Sequence, residues 1–563
     1  MSGRGKPEPD NQTRKNPSRR WDKPPTNPKR QASTSTNSIG ALGNFKDFLH
    51  VTGTQLESSR MNNALLVLVI LYLLGTLAIG AWAGSKIKNT ADFAVAGHRL
   101  PLIMVVTTSF ATWFGAETVL GIPAKFVNGG LKEVVEDPFG ASMCLVFVGV
   151  FFAQKLYRMN LLSIGDYFRN RYGIVIEVLC STLIILSYLG WVAAQITALG
   201  LVFSILSGGY ISAPVGMVIG TVLVLIYVIM GGMLAVVYTD FIQMIVLVIG
   251  LSYIAWISAA QAGGASKVFA LASDRDLFTI LPEPTIKNWL LFVASAITMM
   301  IGSIPQQDVF QRVMSAKDAN TARNGAVIGG LSYLVFAFVP MFVVVSSLII
   351  MPDTAAELLK GDNPQRVLPT LILNHMPFFA QVLFFGALVS AIKSTSSATL
   401  LAPSTSFVEN ILRHLWPSLD DRHLLRAMRI SIFVFAATVL SYAIAVDGKP
   451  IYDMVSSAYQ VTLVGAFVPL AFGLYWRRAT SQGALASIVL GVGTWLTLTL
   501  VPGWGKDLIF LPDWVREFPS QLAGLGASIF GMLVGSLLPQ VIANTKASEE
   551  STYSVHPSHP RRE

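Results

Sequence analysis

Long apolar segments separated by short polar loops run from residue 64 to residue 541. A helix needs about 20 mostly apolar residues to cross a bilayer, and thirteen segments come close to that length. These segments are 64–84, 101–127, 138–158, 175–207, 212–230, 233–258, 287–310, 326–352, 377–412, 430–447, 451–476, 480–501 and 519–541. The pattern therefore predicts an all-α integral membrane protein with about 13 transmembrane helices.

Two of these segments contain residues that interrupt a helix. In 101–127 the interruption falls at Phe114–Glu117, which includes a glycine and a carboxylate, and in 287–310 it falls at Gly302–Pro305. Backbone groups that are freed at bilayer depth need another partner, such as a neighbouring helix, water or a bound ion. Broken helices at matching places in two halves of a chain predict a transporter whose binding site lies between the breaks.

The two halves, 101–258 and 287–476, each contain five predicted helices. An odd number of helices inverts the second half relative to the first, which predicts a five-plus-five inverted repeat. Outside the halves we predict a leading helix and loop at 61–100, two additional helices at 477–541, and disordered tails at 1–60 and 542–563.

The composition supports a membrane protein, since 53% of the residues are hydrophobic and 13% are charged. The net charge of +9 arises mainly from residues 1–60, which carry 11 basic and 5 acidic side chains. We interpret this tail as solvated, with no nucleic acid as partner, and one hypothesis places the true start at Met61. Cys144 and Cys180 lie in apolar segments and indicate neither a disulfide framework nor a metal site.

The loop charges predict the orientation of the protein in the membrane. Five loops on one side carry 16 Lys and Arg residues, and five on the other side carry 8. Because basic loops stay in the cytoplasm, we expect the N-terminus outside and the C-terminus in the cytoplasm. The expected location is the plasma (inner) membrane, as a multi-pass protein.

Several short motifs, in this order and spacing, resemble the sodium:solute symporter family. They are Ser163-Ile164-Gly165-Asp166-Tyr167, Gly231-Gly232-Met233, Tyr238-Thr239-Asp240-Phe241, Phe310-Gln311-Arg312, Ser394-Thr395 and Gly473-Leu474-Tyr475-Trp476-Arg477-Arg478. The resemblance covers about residues 61–541. It implies a LeuT-like fold and uptake of a small organic solute driven by Na+. The stretch Thr112-Trp113-Phe114-Gly115 is most similar to the high-affinity choline transporter branch.

The resemblance implies a sodium site between the first broken helix and the eighth core helix. The ligands it implies are the backbone carbonyls of Ala111 and Phe114, together with Ala391, Ser394 and Thr395. Residues 391, 394 and 395 share one face of a helix, and carbonyls and hydroxyls provide hard oxygens without a fixed charge. The alternative is that the two hydroxyls bond back to their own helix.

The solute is expected between the breaks, where Trp113, Glu117, Gln306 and Gln307 are the candidate lining residues. Aromatic faces bind quaternary amines, and Trp113 suits one wall of such a cage. The choline branch has a tryptophan where this chain has Gln306, so the resemblance leaves half of the cage missing. An amine, an amino acid and a carboxylate all remain open as solutes, and a packing role remains open for Trp113.

Lys393 and Asp240 are candidate coupling or gating residues. Lys393 precedes Ser394, at a position where the family usually has an apolar residue, and it points about 200° round the helix from Ala391. A buried lysine needs a partner. Glu117 is the first choice, Asp240 is less favoured because it lies near the inside end of its span, and the alternative is a lysine directed along the lipid boundary.

The sequence thus predicts a secondary transporter, not an enzyme, that works by alternating access in a lipid bilayer as a monomer. Two alternatives remain open: a sodium-independent or proton-coupled carrier that uses Lys393 and Glu117, and a transporter-like sensor. A further group of charged residues is expected on inside loops, where they anchor helix ends. These are Arg312, Lys317, Asp166, Arg169 and Arg171.

Overall fold

The computed structural model describes residues 64–361, 364–500 and 517–542. Among these residues the secondary structure is helical, apart from an isolated β-bridge between Leu100 and Ala316. The predicted tail 1–60, and the predicted tail 542–563 beyond its first residue, lie outside the described residues.

The helices are numbered in chain order. They are α1 (Ala64–Gly84), α2 (Thr90–Val95), α3 (Leu102–Trp113), α4 (Glu117–Gly129), α5 (Leu131–Tyr157), α6 (Ile164–Tyr172), α7 (Ile174–Leu206), α8 (Ala213–Gln261), α9 (Ala265–Asp274), α10 (Ile286–Gly302), α11 (Gln307–Met314), α12 (Ala319–Ile350), α13 (Pro352–Lys360), α14 (Val367–His375), α15 (Phe378–Leu415), α16 (Asp421–Ala445), α17 (Ile451–Tyr475), α18 (Ser481–Leu500) and α19 (Ser520–Leu537).

In the described part of the chain, ten helices are long and apolar enough to cross a membrane, or up to twelve if each of two bent pairs is one span. The all-α membrane architecture is confirmed, whereas the count of 13 is not. The difference lies in α8, whose 49 residues cover two predicted spans. Gly232 leaves the helical region there, with φ 47° and ψ −147°. The Tyr227 hydroxyl is hydrogen-bonded to the Thr239 hydroxyl. On a straight helix these two residues would be about 18 Å apart, so the chain must fold back at Gly232.

Both predicted helix breaks are confirmed. The first broken helix consists of α3 and α4, which meet at 55°, and the second consists of α10 and α11, which meet at 47°. Phe114 ends α3 with a ψ of 70°, while Pro305 lacks an N–H group to continue α10. The two breaks are therefore local consequences of the sequence.

The two broken helices are joined at one end. The N–H of Leu100, just before α3, donates to the carbonyl of Ser315 at 3.0 Å, and the N–H of Lys317 donates to the carbonyl of Leu100 at 3.0 Å. The Tyr157 hydroxyl donates to the carbonyl of Ala316 at 2.9 Å. Backbone pairing therefore ties the start of the first broken helix to the end of the second.

Burial distinguishes the peripheral helices from the central ones. Helices α1, α16 and α18 expose large apolar side chains, among them Leu71, Ile430 and Val489, as is usual for surfaces that face lipid. Helix α15 is the most buried of the ten long helices, with 78% of its most apolar window inside the protein. It carries the predicted sodium ligands Ser394 and Thr395 through the middle of the bundle.

Candidate functional site

The first helix break brings backbone groups to the centre of the bundle. A side chain at Gly115 would place its Cβ 3.0 Å from Gln195 Oε1 and 3.2 Å from Thr395 Oγ1. The N–H of Ala116 donates to Gln195 Oε1 at 3.1 Å. Glycine leaves room at 115 where side chains of α7 and α15 both approach the backbone.

Three of the five predicted sodium ligands, Ala111, Ser394 and Thr395, make contacts near this break. Thr395 Oγ1 lies 3.5 Å from the carbonyl oxygen of Ala111, and the Ser394 hydroxyl donates to the carboxylate of Asp240. Asp240 also accepts a hydrogen bond from Thr108 at 2.7 Å. Both predicted hydroxyls thus contact other helices and do not bond back to α15. One carbonyl, two hydroxyls and one carboxylate form an oxygen set of the kind that hard cations prefer.

Asp240 changes the expected charge of this site. The sequence predicted carbonyls and hydroxyls alone, but the structure adds a carboxylate that is 0% exposed. The positive groups that interact with it electrostatically are Arg312 and Lys393. A buried carboxylate without such neighbours would be costly, so α11 and α15 both contribute to stabilising the charge on α8.

Lys393 has neither of the predicted placements. Its ammonium group donates to Thr76 Oγ1 of α1 at 2.7 Å and lies 4.0 Å from the centre of the Tyr227 ring. Asp240, not Glu117, is the carboxylate that acts on its charge. The lysine is buried, with 2% exposure, so it does not follow the lipid boundary either. The predicted Lys393–Glu117 pair is wrong because α1 and α8 pack against the lysine face of α15.

Three aromatic rings from three helices surround the first break. The ring centroids of Trp113 and Trp191 are 5.4 Å apart, those of Trp113 and Tyr459 are 5.6 Å apart, and those of Trp191 and Tyr459 are 5.4 Å apart. Tyr188 stacks on Trp191 at 6.0 Å. We call Trp113, Trp191 and Tyr459 the aromatic cluster. Two of its three members were missed by the sequence reasoning.

Glu117 faces this cluster. Its carboxylate accepts hydrogen bonds from Trp191 Nε1 at 3.4 Å and from Gln195 Nε2 at 2.5 Å. Tyr188, Trp191 and Gln195 recur at spacings of three and four, which places them on one face of α7. That spacing of aromatic and amide side chains within an apolar span is a signal that could have identified α7 as a wall of the site.

The two predicted glutamines have different surroundings. Gln306 Nε2 donates to Ser187 Oγ at 2.9 Å and to Thr462 Oγ1 at 3.3 Å, which places it between α7 and α17 near the cluster. Gln307 Oε1 instead accepts the N–H of Ile164 at 2.8 Å. Its oxygen therefore holds the start of α6 and is not directed toward the aromatic cluster.

Arg312 is buried and does not lie on an exposed loop as predicted. Its Nη1 is 3.0 Å from Asp308 Oδ2 within α11, and the Tyr188 hydroxyl donates to Asp308 Oδ1 at 2.6 Å. The prediction placed it too near the surface because α11 continues the second broken helix inside the bundle. Asp166, by contrast, anchors a helix end as expected, through a capping box with Ser163.

Several polar atoms around the breaks have no hydrogen-bond partner among the described residues. They include Trp113 Nε1, the Tyr459 hydroxyl and Ser303 Oγ. An unsatisfied buried polar group costs about 1–3 kcal/mol. Groups of this kind lie at both helix breaks.

Comparison with known proteins agrees with this geometry. The model of the sodium:solute symporter family matches residues 93–491. High-affinity choline transporter 1 of Caenorhabditis elegans is 25% identical over 506 residues, covering 84% of each chain. High affinity choline transporter 1 of Homo sapiens is 25% identical over 475 residues, covering 80% of each chain.

A solved structure shares the fold. It is the substrate-bound, outward-open state of a Na+-coupled sialic acid symporter, with a TM-score of 0.72 and 20% identity over 85% of this chain and 98% of that one. The predicted LeuT-like architecture is thereby confirmed. Since the family match covers well over half of the chain, this protein belongs to the sodium:solute symporter family, as a multi-pass membrane transporter that couples movement of a small organic solute to Na+ and is not an enzyme.

Proposed function

We propose that this symporter carries an organic cation with a choline-like ammonium group, bound between the two helix breaks. The observation that carries this proposal is the aromatic cluster of Trp113, Trp191 and Tyr459 with the Glu117 carboxylate beside it. A cation over aromatic faces gains about 2 kcal/mol when it is desolvated. Trp191 and Tyr459 supply aromatic faces in place of the tryptophan that the choline branch has at the position of Gln306.

The relatives described above support the same class of solute, because both are high-affinity choline transporters. The amide of Gln306 and the free Ser303 hydroxyl favour a polar substituent on the cation, such as the hydroxyl of choline. A carboxylate without an ammonium group would leave Glu117 without a counter-charge, and the carboxylate of an amino acid would face Glu117 as a like charge, which makes these classes weaker candidates.

The three rings touch one another in the described conformation, so the solute enters only after they separate. The rings belong to α3, α7 and α17, and relative movement of these helices opens the space. Alternating access by a transporter of this fold provides such movement. We therefore assign the described conformation to a closed state with the aromatic cluster packed on itself.

For the ion, we propose the carbonyls of Ala111 and Phe114 with Ala391, Ser394 and Thr395. Asp240 and Lys393 carry opposite charges that interact electrostatically, and we assign them to coupling or gating. Because the lysine offsets the carboxylate, the bound ion adds one positive charge to a site that is close to neutral. A site of that kind holds the ion weakly enough to release it.

We further propose that the protein resides in the plasma (inner) membrane as a monomer, with its N-terminus outside and its C-terminus in the cytoplasm. The excess of basic residues on the five predicted inside loops supports this orientation. Labelling of a cysteine introduced at Lys132 by an impermeant reagent on intact cells, compared with one at Lys317, measures it directly.

The solute proposal is tested with the full chain in liposomes. We expect labelled choline to accumulate under an inward sodium gradient and not under a potassium gradient. Its neutral isostere 3,3-dimethylbutan-1-ol has the same shape without the charge, so we expect no competition from it. Equal competition by the isostere, or no competition by choline with any transported substrate, would contradict a cation site.

A further inference from the structure

Three buried carboxylates lie close together beside the first helix break. They are Glu117 on α4 and Glu136 and Asp137 on α5, and Asp137 interacts electrostatically with both of the others. Lys125, whose side chain is one third exposed, interacts electrostatically with Glu136. Like charges in one buried site disfavour full ionisation of all of them.

Asp137 begins a chain of short polar contacts that ends at the backbone of the break. The Tyr333 hydroxyl is 2.5 Å from Asp137 Oδ1, and it is 2.9 Å from Thr118 Oγ1. Thr118 Oγ1 is in turn 2.6 Å from the carbonyl oxygen of Trp113. All three separations are hydrogen-bond distances between oxygen atoms.

Counting hydrogens shows what this chain requires. The carbonyl of Trp113 can only accept, and the hydroxyls of Thr118 and Tyr333 have one hydrogen each. Three contacts need three hydrogens, but the two hydroxyls supply two. If Asp137 were ionised, one pair of oxygens less than 3 Å apart would face each other with no hydrogen between them.

A protonated Asp137 satisfies every contact. The carboxylic acid then donates to the Tyr333 oxygen, Tyr333 donates to Thr118, and Thr118 donates to the Trp113 carbonyl. The surroundings of the second carboxyl oxygen, Asp137 Oδ2, also indicate a protonated acid. It is buried and has no donor among the described residues, which is tolerable for a neutral acid and costly for a carboxylate.

We propose that Asp137 is a proton-binding site of this transporter, linked through Tyr333 and Thr118 to the Trp113 carbonyl. The inference goes beyond the proposed function, because it does not depend on the identity of the solute. Trp113 lies between Ala111 and Phe114, whose carbonyls are the proposed sodium ligands. Loss of the proton breaks one link of the chain and thereby disturbs the backbone at the break.

The groups that face Asp137 are acids and phenols. Tyr333 of α12 contacts Asp137, Glu136 adjoins it on α5, and Glu117 of α4 with Tyr452 and Tyr459 of α17 interact with it electrostatically. The charged groups just beyond Glu136 are Lys125 and Asp453. No basic side chain in the described residues contacts Asp137 within ion-pair distance, so a proton is the cation that this geometry accommodates.

The first test needs no solute. Infrared spectra of the full chain at neutral pH should contain the carbonyl stretching band of a buried carboxylic acid, and that band should be absent in Asp137→Asn. Glu136→Gln is the matched control and should retain it. A spectrum of Asp137→Asn that is identical to the wild type in this region would overturn the proposal, even if choline is transported.

The second test uses pH and choline as the probe, and it rests on the proposed function. The amide of Asn can donate a hydrogen bond to Tyr333, as the protonated acid does. The choline affinity of Asp137→Asn should therefore be the same at every pH and equal to that of the wild type at acid pH. Wild-type affinity should fall by about tenfold per pH unit once the acid is mostly ionised. An unchanged alkaline loss in Asp137→Asn would overturn the proposal, as would loss of binding at all pH values in a variant that still unfolds cooperatively.

Discussion

Trp113 and Trp191 stack with their ring centroids 5.4 Å apart and their planes inclined by 23°. One ring comes from the last turn before the first helix break and the other from the middle of α7. Offset aromatic stacking of this kind contributes about 0.5–1.5 kcal/mol beyond area burial. The same faces become available to a cation when the two helices separate, so the stack closes the proposed solute site in the described conformation.

Trp191→Ala should therefore weaken choline binding in the fraction of the protein that folds. Loss of one desolvated cation–π contact of about 2 kcal/mol corresponds to roughly a 30-fold loss of affinity. Competition binding with labelled choline measures this loss. Trp256→Ala, at a tryptophan that is 70% exposed on α8, is the control and should leave affinity unchanged; an equal loss in both variants would argue against the cluster.

The double change Ser394→Ala and Thr395→Ala should weaken apparent sodium affinity by about tenfold or more, since each ~1.4 kcal/mol is tenfold. Two oxygen ligands disappear while α15 remains helical. The sodium dependence of choline uptake gives the affinity. The double change Ser396→Ala and Ser397→Ala is the control, because those hydroxyls bond to carbonyls of their own helix. A normal sodium dependence in the first variant would remove these residues from the site.

Lys393→Met should destabilise the protein because it leaves the carboxylate of Asp240 with less compensation. The loss should be smaller than the cost of about 3–5 kcal/mol for breaking a direct buried ion pair, because Lys393 acts on Asp240 electrostatically while its ammonium group bonds to Thr76. Adding Asp240→Asn should recover part of the loss, whereas adding Glu117→Gln should not. Thermal unfolding of the single and double variants gives both coupling energies. Coupling of Lys393 to Glu117 instead of Asp240 would contradict the structure.

Gly115→Ala should weaken sodium-dependent binding. The added Cβ meets Gln195 Oε1, Glu117 Oε2 and Thr395 Oγ1 at 3.0–3.2 Å, so three polar groups of the site must move together. Binding of choline at saturating sodium measures the effect. Gly493→Ala is the matched control, because its Cβ would meet nothing within 4 Å. Normal binding in Gly115→Ala would mean that the break tolerates a side chain.

The sequence by itself determined the membrane architecture, the two helix breaks and the family. Apolar segments of about 20 residues have few alternatives to a membrane helix, and Gly302–Pro305 interrupts a helix through local backbone chemistry. The same local reasoning placed Ser394 and Thr395 on one helical face. Those predictions depend only on residues that are neighbours along the chain.

The tertiary structure alone decided which side chains from distant helices meet. Lys393 faces away from Ala391 by helical geometry, but only the packing of α1 and α8 shows that Thr76 and Tyr227 receive it. Trp191 and Tyr459 join Trp113 for the same reason. Contacts between distant segments depend on how whole helices pack, and periodicity within one helix specifies the direction of a side chain without specifying its partner.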